Sequence, residues 1–317
     1  MNDTNDRAKD CANDHAKDHA SYLEATARER LALLFGADGF TEWLPPSARI
    51  VSPHLAQLDA PRAFDDGVVI GHGKLGSEQV FAAAQEGGFM GGAVGEVHGA
   101  KLVGLLQRAV VERPDAVLLL LETGGVRLHE ANAGLIAVSE VMRALLAARA
   151  AGVPVIVLIG GSNGCFGGMG IAARCANAIV MSEQGRLAMS GPEVIETANG
   201  VEEFDSRDRA LVWRTTGGKH RYLLGDCDCI VADEIGAFRT AAVETIARFQ
   251  TEEVRLTLAA LEAEQRMLTQ RLTLHGSAVE PMSIWRTLGI AEPANIAMLE
   301  AAAFMAQAAP SRARSFE

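Results

Sequence analysis

A chain of 317 residues, 49% hydrophobic and 22% charged, has room for one large domain or two smaller ones around a sizeable core. Its formal net charge of −11 argues against a broad nucleic-acid surface and against docking on an anionic membrane. Cys11, Cys165, Cys175, Cys227 and Cys229 are odd in number and irregular in spacing, which disfavours a disulfide framework and fits a reducing cytoplasm. The opening "MNDTNDRAKD" lacks the apolar segment of a secretory signal, and the most apolar run, 116–121, is too short to span a bilayer.

In chain order, residues 1–21 are polar and low in complexity, as in a solvated, disordered tail. Cys11, His15 and His19 would share one face of a helix there, but no HExxH pattern accompanies them and the tail reading is preferred. Residues 22–36 predict an amphipathic helix, with Leu23, Ala27, Leu31 and Leu34 at helical spacing and Gly36 as its stop. The stretch 37–66, broken by Pro45, Pro46, Pro53 and Pro61, reads as irregular. From 67 onward strands and helices alternate. "GVVIGHG", "EQVFAAAQE", "AVLLLLE", "VPVIVLIG", "NAIVMSE" and "RLAMSG" read as strands. "EVHGAKLVGLLQRAVVER" and "EANAGLIAVSEVMRALLAARAAG" read as helices, ended by Pro114 and Gly152. This order predicts an α/β fold whose core strands run into glycine-rich turns and then helices. Residues 239–273 predict one long helix. Its stripe of Val254, Leu258, Leu261, Leu268 and Leu272 suits packing on its own domain or against another subunit. The expected parse is a tail over 1–21, an N-terminal helix and irregular segment over 22–66, the main domain over 67–275 and a peripheral segment over 276–317.

Three glycine clusters follow apolar segments: "FMGGAVGEVHGAK" (89–101), "ETGGVRLHE" (122–130) and "GGSNGCFGGMG" (160–170). The last contains a G-x-G-x-x-A match from Gly168 to Ala173. A dinucleotide turn follows its strand at once, whereas seven residues separate Gly160 from Gly168 here. No GxxxxGK[ST] occurs, and a flexible linker does not sit between a buried strand and an apolar helix. The remaining functional reading is geometric. Glycine admits a ligand close to the backbone, and the first N–H groups of the helix opening at Gly167 and Gly168 have no partners inside that helix. Such amides suit a developing oxyanion, and "TGGVR" at 123–127 can supply a second donor. Tight strand–helix packing is the competing explanation of the same glycines.

In this order the three clusters resemble the carboxyltransferase branch of the crotonase-like superfamily. "FMGGAVGEVHGAK" is similar to F-M-G-G-S-M-G-S-V-V-G. "TGGVRLHE" is similar to S-G-G-A-R-M-Q-E, and "MSGPEVIE" to F-A-G-P-R-V-I-E. Within that branch, "LLETGGVRLHEANAGL", "GRLAMSGPEVIE" and "WRTTGGKHRYLLGDCDCIVAD" resemble the β subunits of biotin-independent malonate decarboxylases. The resemblance covers about residues 67–238. It implies a spiral of repeated ββα units, with the long C-terminal helix added to it. It also implies a γ subunit of the same fold with the active site at the interface, and a malonyl thioester on an acyl carrier protein as substrate. The carrier bears a phosphoribosyl-dephospho-CoA prosthetic group, and no cofactor is attached to this chain itself. The four-cysteine zinc ribbon of bacterial acetyl-CoA carboxylase β subunits is missing, since there is no CxxC, and so is the A-M-K-M biotinylation signature.

Loss of CO₂ from a malonyl thioester leaves an enolate, so the main demand is stabilisation of one carbonyl oxygen, with no nucleophile or metal required. The expected donors are the N–H of Gly167 or Gly168 with that of Gly125 or Val126, and the resemblance puts Gly167 at the second oxyanion donor. Gly91, Gly92, Gly124, Met169, Ser190 and Gly191 are expected to line the substrate. Arg127 either contacts a substrate anion or pairs with Glu130. His98, Glu130 and Ser190 are candidate proton donors, with the partner subunit as the other source. Lys74, Lys101 and Lys219 are candidates for the carrier's phosphates. Two alternative readings stand beside this one: a biotin-dependent acyl-CoA carboxyltransferase subunit, and a non-catalytic carrier-docking subunit.

Overall fold

The structure, a computed structural model, describes residues 19–36, 39–278 and 280–312. Residues 1–18 of the predicted tail, Cys11 and His15 among them, lie outside the described residues. From Ala20 onward the chain is tied down: Ile235 N donates to Ala20 O at 2.9 Å, Ser21 Oγ to Asp233 Oδ2 at 2.5 Å, and Tyr22 is fully buried.

Seven strands form one sheet in the order of the sequence: β1 (Phe40–Trp43), β2 (Val68–Leu75), β3 (Glu78–Gln85), β4 (Ala116–Leu120), β5 (Val155–Ile159), β6 (Ala178–Ser182) and β7 (Cys229–Val231). The first three pair antiparallel and the rest parallel. Between and after them run α1 (Ala27–Phe35), α2 (Pro53–Gln57), α3 (Glu96–Glu112), α4 (Asn132–Ala150), α5 (Gly167–Arg174), α6 (Pro192–Asn199), α7 (Arg209–Thr216), α8 (Gly218–Leu223), α9 (Ile235–Phe249), α10 (Leu258–His275), α11 (Pro281–Thr287), α12 (Pro293–Ala297) and α13 (Ala301–Ala308).

The continuous apolar runs of the central strands follow from burial on both faces. Alternate residues point opposite ways. Val117, Leu119, Val155 and Val157 pack with α3 and α4, and Ala116, Leu118, Ile156 and Leu158 pack with α1 and α9. A second, minimal ladder crosses the chain after each central strand. Single bridges join Val94 to Val126, Thr123 to Cys165, Cys165 to Leu187 and Arg186 to Gly217. Each repeat is thus a long strand, a one- or two-residue bridge strand and a helix, which is the predicted ββα spiral.

Five expectations are corrected. The 37–66 stretch holds the edge strand β1 and the short α2. Of "RLAMSG", only Arg186 and Leu187 bridge, and the chain then turns into α6. The 239–273 helix is two helices, because Thr257 starts a new one by accepting Ala260 N on its Oγ1 at 3.1 Å. The described part of the 276–317 segment is not peripheral: Trp285 is 2% exposed and Phe304 0%, and they join the core, Phe304 against Tyr222 and Trp285 against Phe304 and His220. The N-terminal helix is also shorter than predicted, starting at Ala27 behind a Thr26–Glu29 capping box.

Candidate active site: two glycine turns with free amides

The end of β4 and the loop after β5 run side by side. Thr123 N donates to Gly164 O at 2.7 Å, and Phe166 N returns to Thr123 O at 2.9 Å. Beyond that pairing the backbones nearly touch. A Cβ added to Gly167 would lie 2.9 Å from Gly125 Cα, and Gly167 has φ +65°. Glycine is therefore required for this approach.

The donors of the two turns divide sharply. Gly124 N donates to Gly91 O at 2.9 Å and Gly125 N to Thr123 Oγ1 at 3.0 Å. Gly167 N donates to Met189 O at 2.9 Å. The N–H groups of Val126, Gly168 and Met169 have no acceptor among the described residues. Gly168 and Met169 lie in the first turn of α5, where amides are unpaired within the helix and the dipole is positive. Of each predicted donor pair, one amide is occupied inside the fold and one is open.

Gly91 and Gly92 stand behind the first turn. Gly91 O holds Gly124, and a Cβ on Gly92 would meet Glu122 O at 1.8 Å. The Met169 side chain is fully buried. Ser190 and Gly191 are half-buried beyond Met189, where Gly191 caps α6. Exposed apolar side chains flank the free amides: Leu128 after the first turn, Leu135 and Ile136 on α4, Ile171 on α5, and Met189.

The structure corrects several predicted charged contacts. Arg127 is 1% exposed, and its Nη1 lies 2.9 Å from both Asp66 Oδ2 and Glu130 Oε1. It is a buried scaffold residue with its charge already answered, not a contact for a substrate anion. His98 is fully buried between Gln85 and the Asp66 carbonyl. Burial, and then the Arg127 charge, push its pKa down to about 3, so it is neutral, and its one N–H is committed to the Asp66 carbonyl. Glu130 accepts Glu96 N as well as Arg127. Although burial opposes it, these bonds hold its carboxyl below the usual range. Lys101 is buried on the carbonyls of Asp65 and Val68. Lys219 Nζ is held by Ala297 O, Leu299 O and Glu183. Lys74 is exposed on β2.

One structural hub escaped the sequence reading. Glu122, buried at the end of β4, pairs with Arg30 of α1 at 2.5 Å and accepts Ser162 Oγ and Asn163 N at 3.1 and 3.2 Å. It fixes the loop leading to α5. Its signal in the sequence was only an acid beside a glycine pair.

A ββα spiral bearing two abutting glycine turns defines a carboxyltransferase-type fold. Residues 21–265 match the carboxyl transferase domain family, and the chain belongs to it. It is 43% identical over 304 residues to the malonyl-S-ACP:biotin-protein carboxyltransferase MADC of Malonomonas rubra, covering 91% of this chain and 95% of that protein. It superimposes on a Pseudomonas malonate decarboxylase hetero-tetramer in complex with malonate with a TM-score of 0.70 and 41% identity, covering 73% of this chain and 84% of that one. The Pseudomonas malonate decarboxylase MdcD-MdcE hetero-dimer gives a TM-score of 0.59 and 37% identity over 72% of this chain and 88% of that one. No helix among the described residues is long and apolar enough to cross a membrane.

Proposed function

We propose that this chain is the β-type subunit of a malonate decarboxylase, converting a malonyl thioester on an acyl carrier protein to the acetyl thioester. The observation that carries the reading is the pair of open amides, Val126 and Gly168, on two turns that abut at Gly125 and Gly167. The bond between the α-carbon and the carboxylate breaks, CO₂ leaves, and the electron pair moves onto the thioester oxygen as an enolate. Two N–H donors aimed at that oxygen act where charge develops; one such donor is worth about 10²–10³ in rate. The α-carbon then takes a proton. With His98 neutral and Glu130 occupied, the candidate sources are Ser190 on this chain and the γ subunit. The exposed apolar rim of Leu128, Leu135, Ile136 and Met189 fits a partner subunit covering the turns. The substrate arrives on the carrier's phosphoribosyl-dephospho-CoA arm.

The Malonomonas rubra relative, a malonyl-S-ACP:biotin-protein carboxyltransferase, favours a second reading, in which the carboxyl group passes to a biotin protein. Both readings need the same enolate and the same amides. The test is to purify the chain with its partner subunit and carrier, supply malonyl-carrier or malonyl-CoA, and follow CO₂ and acetyl thioester with and without a biotin protein. Acetyl thioester without biotin is the expected result. Strict dependence on the biotin protein selects the second reading, and no loss of the malonyl carboxyl in any arm overturns both.

A further inference from the structure

A line of buried hydrogen bonds runs behind both turns. The last ladder pairing of β3 with β4 is Ala84 with Leu120, and Glu86 N then turns away to Gly67 O. Glu122 N, just past the end of β4, therefore receives no backbone acceptor from β3. Gln85 supplies one from its side chain: its Oε1 accepts Glu122 N at 3.1 Å. Its Nε2 lies 3.0 Å from His98 Nε2, and His98 Nδ1 lies 3.1 Å from Asp66 O. Gln85, His98 and Asp66 are all fully buried.

Backbone groups force the direction of this line at both ends. Glu122 N–H can only donate, so the Gln85 oxygen faces it and the Gln85 amide nitrogen faces His98. His98 Nε2 is then the acceptor, its proton sits on Nδ1, and the Asp66 carbonyl receives it. Past Asp66 the line enters the first turn. Asp66 Oδ2 accepts His98 N at 3.0 Å and Arg127 Nη1 at 2.9 Å, and Arg127 directly follows the open Val126 amide. Past Glu122 it enters the second, where the carboxylate holds Ser162 Oγ and Asn163 N on the loop leading to Gly168. The surroundings are apolar, with Ala83 on the same face of β3 and Leu102 one turn further along α3 in the core. A polar pair in such a place is costly unless each group is answered, and every side-chain nitrogen and oxygen of Gln85 and His98 has a partner.

We propose that Gln85 and His98 are positioning residues, a side-chain strut that holds the open Val126 and Gly168 amides at one spacing for the enolate oxygen. This rests on the reading of those two amides as oxyanion donors. Two donors serve one oxygen only when both lie about 2.7–3.1 Å from it, so their relative placement matters as much as their presence. Thr123 joins the turns at their root through Gly164 and Phe166. The Gln85–His98 strut joins the charged groups that support them from behind, Asp66 with Arg127 on one side and Glu122 on the other.

The experiment uses the complex with its partner subunit and carrier, with malonyl-carrier as substrate, on variants shown to be folded by their denaturant midpoints. Gln85→Met is expected to lower kcat about tenfold to a hundredfold, as for a small misplacement of a catalytic group. KM should stay within about twofold, because the strut touches no substrate. His98→Phe cuts the same line at its other member and serves if Gln85→Met does not fold. The double variant should lose little more than either single one, since both break one connection. A backbone ester at 168 separates positioning from general loosening. With that donor gone there is no pair left to align, and the further loss from Gln85→Met should shrink to less than about threefold. An unchanged kcat in folded Gln85→Met and His98→Phe overturns the proposal. So do losses that multiply in the double variant, or a loss as large with the ester as without it. Esters at 126 and 168 that leave turnover intact bring down the donor reading itself. Esters that slow turnover beside a Gln85→Met that does not bring down the strut alone.

Discussion

The turn at 123–127 and the turn at 164–168 each leave an amide open, but they are held in different ways. The first carries its own charge: Arg127 follows the open Val126 amide and is locked below it by Asp66 and Glu130, all with fully buried side chains. The second has no charge beside Gly168. It relies on missing side chains, with Gly167 against Gly125, Gly161 against Glu122 and Gly170 against Ala188 O, and it leans on Glu122 through Ser162 and Asn163. The same donor can thus be presented by a buried ion network or by close packing of bare backbone, and the two should fail differently.

The largest expected effect is on the charged turn. Arg127→Met leaves Asp66 and Glu130 buried without their cation and should cost about 3–5 kcal/mol, read from urea unfolding. A cost below about 1 kcal/mol would remove the distinction between the turns.

Next come single amides. Replacing the 126 or 168 amide by a backbone ester deletes one N–H and adds no side chain. Turnover should fall about 10²–10³-fold, roughly 3–4 kcal/mol. Esters at 125 and 167 should instead lose the bonds to Thr123 Oγ1 and Met189 O, costing about 1 kcal/mol of stability with turnover nearly intact. Equal activity losses at all four sites would show that backbone rigidity, not donor count, is being measured.

The buried histidine under the first turn gives a pH signature. His98 falls from its ordinary 6.5 to about 3 in the folded chain. Between those values the unfolded chain binds a proton that the folded chain does not. Its contribution is therefore complete above about pH 6.5 and lost as pH drops towards 3. His220, buried against Trp285, behaves alike through burial and then Arg221. In His98→Gln the stability difference between pH 7 and pH 5 should shrink by on the order of 2 kcal/mol, followed by denaturant midpoints.

The smallest effect is expected on α10, which has no buried residue. Leu272, 72% exposed, should tolerate Leu272→Ser within about 0.5 kcal/mol in the isolated chain. A larger loss in the assembled complex than in the chain alone would mark that stripe as a subunit contact.

The core was legible because β4, β5 and β6 are buried on both faces and so read as unbroken apolar runs. The order of strand, glycine turn and helix carried the spiral, and the glycine clusters led to the turns. Other features needed partners far along the chain. Periodicity carried the helix through 250–257, since no glycine or proline marks the break and Thr257 is a quiet signal. Trp285 and Phe304 looked peripheral because Tyr222 and His220, which receive them, are more than sixty residues away in the sequence. Within the turns, sequence identified the four amides. Which two are open depends on Met189 O and Thr123 Oγ1, acceptors that only the fold brings into place.

Every strand of the sheet pairs with its neighbours in sequence, from β1 to β7 without exchange. A chain emerging from the ribosome can therefore lay each new strand on an edge that already exists, with no need to open a gap for a later one. The last-made helices then seal what remains: Met305 Sδ accepts Ile230 N on the short edge strand at 3.1 Å, and Phe304 fills the space beside Tyr222. A chain stalled at residue 275 is expected to show protected amides in β2 to β6 and exchanging ones around Tyr222. Uniform exchange throughout would mean instead that the sheet waits for its final segment before any of it is stable.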